Sequence, residues 1–331
     1  MSISIKKICP ATPNEWDKIW RQCDYSTYFH SREWSEIWNV YTEGKICPDA
    51  KLIVFSDGKK ALLALSCQRH LKGLVKKYIS SPAGTYGGWI SSDGIGIEHA
   101  TLMVEFLTKK LGNLIWRINP FDPNLKNIDA DNTKHDFTQY LNLKDGFDYI
   151  KKLWSKGNIS AIRKASKVGV TIKESGSWKE WEQYFEIYKD SIRRWGDTVS
   201  SRYSINLFKA FFKKHSPNIK LWLAYFEGKP IAGALCFYHN HHVVCWHGAT
   251  LEEYFPKRPN NLLYCEIIKD ACKKNYWWFD FNPSGGHEGV VNFKNRFSTK
   301  KMWSNIIHKE FLFCKLIEYG YYCAKKIKQK L

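Results

Sequence analysis

Leu221-Trp222-Leu223-Ala224-Tyr225-Phe226, Glu227-Gly228-Lys229-Pro230, Ile231-Ala232-Gly233-Ala234-Leu235-Cys236-Phe237-Tyr238 is the stretch that decides the class of this chain. Two apolar and aromatic runs flank a short turn whose glycine is free to take positive φ, so they read as antiparallel strands in a tight hairpin. Downstream, His239-Asn240-His241 is a polar turn into a third strand, His242 to Ala249. A loop ending in Arg258-Pro259-Asn260 follows, with Asn260 or Asn261 placed to cap a helix that reaches about Lys274. Trp277 to Phe281 closes the run as a buried strand. Upstream, Trp178 to Arg194 and Ile205 to Lys214 carry helical patterning.

The first half repeats this order. Lys51 to Phe55 reads as a strand, Ser56-Asp57-Gly58-Lys59 as a turn, and Ala61 to Arg69 as the returning strand. Lys77 to Ser80 is a short third strand, Ile97 to Leu111 a helix after a Gly-rich loop, and Leu114 to Ile118 the closing strand. Helical patterning at Glu15 to Trp20 and Glu33 to Tyr41 precedes them. The closing strands match in sequence, Trp116-Arg117-Ile118-Asn119-Pro120 against Phe279-Asp280-Phe281-Asn282-Pro283. Gly58 and Gly228 lie 170 positions apart and Asn119 and Asn282 lie 163 apart, a near-constant offset that indicates duplication. Hairpin, third antiparallel strand, helix and parallel strand is the order of the GNAT acyltransferase fold. The expected class is therefore α/β, with two tandem GNAT-like units of mixed antiparallel and parallel sheet flanked by helices. The boundary is expected within 141–151, giving units 1–145 and 146–331.

Composition agrees with a folded enzyme-sized chain. Of 331 residues, 44% are hydrophobic and 16% aromatic, which excludes general disorder. No run approaches the roughly 20 apolar residues of a membrane-spanning helix, and Met1 to Lys7 lacks the apolar stretch of a secretory signal. Ten cysteines scattered from Cys9 to Cys323 show no C-x-x-C spacing, which fits free thiols in a reducing cytoplasm. His239, His241 and His242 cluster without a further ligand, so no metal is expected. The net charge of +19 points to polyanionic partners. It is concentrated in the second half. Lys151, Lys152, Lys156, Arg163, Lys164, Lys167 and Lys173 follow one another without an intervening acid. Lys294, Arg296, Lys300 and Lys301 form a second stretch, and Lys325 to Lys330 a third.

Several segments resemble the FemAB-type peptidyltransferases and the acyltransferases related to them. They are Tyr28-Phe29-His30-Ser31-Arg32-Glu33-Trp34, Ser81-Pro82-Ala83-Gly84-Thr85-Tyr86-Gly87-Gly88, Arg163 to Val170, Gly228 to Ala234, Trp246-His247-Gly248-Ala249-Thr250 and Arg258 to Leu263. Phe279-Asp280-Phe281-Asn282-Pro283-Ser284-Gly285 follows, then Glu288-Gly289-Val290 and Phe293-Lys294. The resemblance implies transfer of an aminoacyl or other acyl group to an amine, with aminoacyl-tRNA or acyl-CoA as donor and no tightly bound cofactor. It implies that Lys294 lies against the reacting carbonyl. It also brings the acceptor amine of a cell-envelope or other precursor, and a cytoplasmic site at which the basic helix Phe311 to Leu331 allows peripheral membrane contact.

Attack of an amine on an ester or thioester builds an oxyanion, which a fixed cation and backbone donors stabilise. Lys294 supplies the cation, and the Ser284-Gly285-Gly286 loop offers backbone N–H groups. The base is open among Asp280, His247, His287 and Glu288, and Asp280 also reads as a structural carboxylate satisfied by loop amides. Phe293, Gly285, Gly286, Trp246, Asn260, Asn261, Tyr86, Gly87 and Trp34 complete the expected substrate-binding set. Lys156, Arg163, Lys164, Lys167, Arg194 and Arg296 are the expected phosphate contacts for tRNA. The segment Glu253 to Asn260 has two prolines and no glycine, so it offers few amides to a CoA pyrophosphate. Ser35-Glu36-Ile37-Trp38 places an acid where a phosphate-binding lysine is expected of muramyl-type members, which argues against a nucleotide-sugar diphosphate acceptor.

Overall fold

The computed structural model describes residues 2–70, 75–125, 133–196 and 202–310. The basic helix expected over Phe311 to Leu331 lies outside the described residues. The chain divides into two compact units, Met1–Asp136 with Trp303–Leu331, and Phe137–Met302.

The first unit runs β1 (Ile5–Pro10), α1 (Pro13–Gln22), α2 (Arg32–Tyr41), β2 (Ile46–Pro48), β3 (Lys51–Phe55), β4 (Lys60–Leu63), β5 (Ser66–His70), β6 (Val75–Ile79), β7 (Trp89–Ile90), α3 (Ile97–Glu105), β8 (Asn113–Arg117) and β9 (Thr133–Lys134). Its helices start where side chains satisfy free amides. Thr12 accepts from the Glu15 N–H while the Glu15 carboxylate accepts from the Thr12 N–H, and Ser31 caps α2 through the Trp34 N–H. The core gathers Ile53, Phe55, Met103 and Leu114 around the Trp89–Trp116 pair, whose centroids are 5.6 Å apart. Two expectations change here. The strand expected over Ala61 to Arg69 is broken at Ala64-Leu65: β4 pairs with β3 and β7, whereas β5 pairs with β2 and β6 in another sheet. The Ala64 N–H donates to Gly88 O and Leu65 O accepts from the Asp49 N–H, so each residue serves a different neighbour. The helix expected to reach Leu111 is regular to Glu105 and ends in a π turn, Phe106–Lys110.

The second unit runs β10 (Phe137–Asn142), α4 (Phe147–Lys152), α5 (Lys156–Lys167), β11 (Thr171–Glu174), α6 (Trp178–Trp195), α7 (Ile205–Lys213), β12 (Ile219–Phe226), β13 (Lys229–His239), β14 (His242–Thr250), α8 (Pro259–Lys273), β15 (Trp278–Asp280), α9 (Glu288–Asn295) and β16 (Lys300–Trp303). The quoted hairpin is β12–β13, with Glu227 and Gly228 both at positive φ, as a two-residue turn of matching twist requires. The sheet order is β11-β12-β13-β14-β15-β10-β16, and its one parallel pair in the described register is β14–β15, which α8 connects. A final strand, β17 (Ile306–Lys309), pairs with β8 and β9 in the first unit's six-stranded sheet.

The units thus divide differently from the single boundary expected near 145. β10 pairs with β15 through Tyr140 and Asp280, so residues 137–142 belong to the second unit. The segment from Trp303 returns to the first because β17 fills the place beside β8. Mixed sheets flanked by helices, twice over, are as expected.

Gly87 sits where backbones nearly touch. Its N–H donates to Arg117 O at 3.0 Å, and a Cβ would stand 2.1 Å from Ser80 O. Gly87→Ala is expected to cost about 3 kcal/mol, because the obstruction is main chain. Gly94→Ala, where a Cβ meets open space, is expected to change stability by under about 0.5 kcal/mol. Urea midpoints of the two variants test the contrast.

Candidate functional site

β14 and β15 run side by side only from His242↔Trp278 to Val244↔Asp280. There β15 ends, while β14 continues to Thr250. From Cys245 onward β14 therefore has no strand on that side among the described residues, and the two chains open into a cleft. At the same point β14 carries a bulge: Cys245 pairs with Cys236 and His247 with Leu235, leaving Trp246 as the extra residue. A bulge turns two consecutive side chains to one face, and both meet α6, α7 and the loop between them. Trp246 packs on Phe211 and Tyr203, and His247 on Tyr184, Tyr188 and Phe208.

The far wall of the cleft is the loop after β15. Asp280 is fully buried. One of its oxygens accepts from Thr138 Oγ1 and from the Asn282 N–H at 2.8 Å, and the other faces His242 Nε2 at 3.2 Å. Asn282 holds φ 60 and its side-chain amide reaches across to Trp246 O at 3.5 Å. Its carbonyl accepts from Lys294 Nζ at 2.6 Å, and Ser284 Oγ accepts from the same ammonium at 2.7 Å. Lys294 is buried on α9, so its cation lies beneath the loop. α9 is in turn fixed by Gln139 on β10, whose amide donates to Asn295 Oδ1 at 2.8 Å and Thr299 Oγ1 at 3.0 Å. Sequence reading missed Thr138, Gln139 and the His242–Asp280 contact, since no local pattern marks a residue whose partner is 142 positions away.

His247 is half-buried. The Tyr184 hydroxyl lies 2.6 Å from its Nδ1 and 3.3 Å from its carbonyl oxygen. Tyr184 was also missed. Trp181, Tyr184 and Tyr188 read as an ordinary apolar helix face, yet Tyr184 presses against Gly233, where a Cβ would stand 2.5 Å from its ring. Burial holds the Tyr184 phenol well above its usual range and pushes the His247 imidazole down to about 4.

The other expected residues fall into three places. Phe293 packs on Tyr264 beside the loop, while Gly285, Gly286, His287 and Glu288 are exposed at its tip. Asn260 accepts from Thr250 Oγ1 at 2.7 Å and Asn261 donates to Asn158 at 2.8 Å, so both tie the start of α8 to its surroundings. Pro259 has no N–H and the Asn261 N–H is spent on Arg258 O, which leaves that helix start poor in free donors. Lys156, Arg163, Lys164 and Lys167 are exposed on α5, at spacings that put them on one side of the helix. Arg296 is exposed as well. Arg194 is not open in the same way: it donates to Asp190 and Thr250 O and stacks on Phe255. In the first unit, Trp34 donates to Ser81 Oγ and is fully buried, as is Tyr86; with Gly87 they pack the interior of that unit. Glu36 is paired with Arg32, which offsets the charge that the sequence reading set against a phosphate.

Residues 158–295, which span most of this site, match the family model described as an acetyltransferase (GNAT) domain. No curated protein matches the sequence. Among solved structures the chain is similar to FemX, with 14% identity and a TM-score of 0.69, over 94% of this chain and 100% of that one. It is similar to L-PGS from Bacillus licheniformis at 11% identity and TM-score 0.54, over 93% and 96% of the two chains. A C-terminal domain of a putative lysylphosphatidylglycerol synthetase from Agrobacterium fabrum is similar at 9% identity and TM-score 0.53, over 89% and 90%. The fold is GNAT-like and FemX-like along nearly its whole length. Among the described residues, no helix is long and apolar enough to cross a membrane.

The depressed His247 has a measurable consequence. In the unfolded chain the imidazole takes up a proton near 6.5, which the folded state resists until about 4. The unfolded state therefore binds more protons in that window, and this residue's contribution to stability falls as pH drops from about 6.5 to about 4. The stability difference between wild type and His247→Gln, from urea titrations, is expected to shrink over that range and stay level above about pH 7. A difference flat across both ranges would contradict a buried neutral imidazole.

Proposed function

We propose that the second unit transfers an aminoacyl group from aminoacyl-tRNA to a primary amine of a cell-envelope or other small or peptide precursor. The observation that carries this reading is the cleft beyond Val244, walled by β14 on one side and by the Lys294-held loop on the other. The edge of β14 offers backbone groups to an extended donor. The exposed N–H groups of Gly285 and Gly286 and the Lys294 charge supply positive potential where an oxyanion would form.

His247 is the base in this scheme. Asp280 is committed to three partners, and His287 and Glu288 stand out in solvent. The Tyr184 hydroxyl donates to the His247 carbonyl and accepts from Nδ1–H, so Nε2 keeps its lone pair. The amine nitrogen attacks the ester carbonyl carbon, the carbonyl π pair moves to oxygen, and His247 takes the N–H proton. Collapse restores the carbonyl and breaks the ester C–O bond, and the proton passes to the departing ribose oxygen. Lys294 acts through its charge and by shaping the loop.

The donor follows from what surrounds the cleft. Pro259 and the committed Asn261 amide leave the start of α8 with little to offer a pyrophosphate. The basic side of α5 suits the phosphates of RNA. The match to an acetyltransferase family model favours a second reading, an acyl-CoA or acyl-carrier donor and a sugar amine acceptor.

The test is incubation with labelled aminoacyl-tRNA or acyl-CoA and a panel of amines. Transfer from aminoacyl-tRNA is expected; turnover from acyl-CoA alone would replace the leading donor with the second. Lys294→Met is expected to lower kcat/KM by about a hundredfold or more, with full activity refuting its role. Alanine at Lys156, Arg163, Lys164 and Lys167 is expected to weaken tRNA binding and to reduce the salt slope by about one unit for each phosphate that is no longer neutralised. An unchanged slope would remove α5 from the interface.

A further inference from the structure

Eight cysteines lie among the described residues, all as free thiols. Four of them form two pairs that face each other directly across antiparallel strands: Cys47↔Cys67 between β2 and β5, and Cys236↔Cys245 between β13 and β14. Directly opposed residues project from the same face of a sheet, with Cα atoms about 4.5–5.5 Å apart. That range lies inside the span of about 4.4–6.8 Å that a disulfide bridges.

Access separates the pairs. Cys236 and Cys245 are both buried, and Cys245 donates to the Tyr264 hydroxyl at 3.2 Å. Cys47 is half-buried on β2, the edge strand of the six-stranded sheet, with its Sγ 3.0 Å from Gly44 O. Cys67 lies behind it, buried, with only a long 3.8 Å contact to Gln68 O. An oxidant therefore meets Cys47 first, with Cys67 as the neighbour able to resolve the product.

We propose that Cys47 and Cys67 are a reversible oxidation site, closing a cross-strand disulfide on exposure to a low-molecular-weight disulfide. The Cys47 thiolate attacks one sulfur of the reagent, forming a mixed disulfide and releasing one thiolate. The Cys67 thiolate then attacks Cys47 Sγ, forming the internal S–S bond and releasing the second. Two protein thiols are oxidised and one disulfide is reduced to two thiols, so no other reactant is needed.

The register also says what kind of disulfide forms. Asp49 N–H donates to Leu65 O and Arg69 N–H to Lys45 O, so the pairs two residues on either side of 47:67 are hydrogen-bonded. The alternation of an antiparallel ladder makes 47:67 a hydrogen-bonded pair too, the wider kind. Its Cβ atoms start about 1 Å further apart than a disulfide prefers. A three-residue edge strand can close that gap, but the bond carries strain and is readily reduced. Closure ties β2 to β5. Through Asn39 and Thr42, which bond the backbone of Ile46, it also fastens the end of α2.

The experiment treats the reduced full chain with glutathione disulfide, followed by intact mass and peptide mapping. Wild type is expected to lose two hydrogens, retain no glutathione, and yield a peptide joined through Cys47 and Cys67. Its unfolding temperature is expected to rise by several degrees and to return on mild reduction. Cys67→Ala is expected to hold one glutathione on Cys47, and Cys47→Ser, a change at a half-buried edge position, to take up none there. A glutathione adduct persisting on wild-type Cys47, a cross-link mapped elsewhere, or no change of mass in the folded chain would each overturn the proposal.

Discussion

The cleft depends on one buried carboxylate. Asp280 ends β15 with no exposure to water, where an unpaired charge would be costly. Thr138, His242 and the Asn282 N–H each satisfy part of it. Those contacts come from β10, β14 and the loop that follows, so the carboxylate fixes three chain segments at once. By holding Asn282 at positive φ it turns the chain away from β14, and the Asn282 carbonyl then meets the Lys294 ammonium. Loss of Asp280 would leave the loop, the lysine and the cleft edge without a common anchor. This is why the geometry gives it a positioning role, and why His247 stands better as the base.

What was legible in the sequence was local. The β12–β13 hairpin, α8 and the parallel closing strand are written in contiguous apolar runs and one turn, and α6 and α7 in helical periodicity. Their bounds fall within a residue or two of the reading. The parts that were not legible depend on distant partners. The Ala61–Arg69 run looks like one strand because its composition is uniform; only Gly88 and Asp49 divide it between sheets. The unit boundary moved for the same reason, since Phe137 to Asn142 read as a strand-like tail until Asp280 supplied its partner. Lys294 was visible as a residue through family resemblance, but its partners Asn282 and Ser284 follow only from how α9 folds back.

Charge behaves likewise. The excess of +19 suggested a binding face, and the structure sorts its members by what they touch. Arg32, Arg117 and Arg194 are spent on carboxylates and carbonyls within the fold. The α5 residues are exposed, on a helix whose opposite side buries Asn158, Ile162 and Ala165. A basic stretch becomes an interface only where packing on the other face holds the helix still, and α5 meets that condition.

The duplication explains why only one unit offers a cleft. In the first unit β6 and β8 form the equivalent parallel pair, in register from Lys77↔Asn113 to Ile79↔Ile115. The chain then bulges out over Ser81 to Tyr86 and returns. Gly87 bridges to Ile118, its N–H donates to Arg117 O, and its carbonyl accepts from the Trp116 indole at 3.1 Å. The opening is stitched shut by its own loop, and only a residue without a Cβ can come so close to Ser80. In the second unit the matching position carries the Trp246 bulge, and a single long bond from Asn282 spans the gap. The same order of strands therefore yields a sealed sheet in one copy and an open edge in the other, and the open edge is where the chemistry-bearing side chains collect.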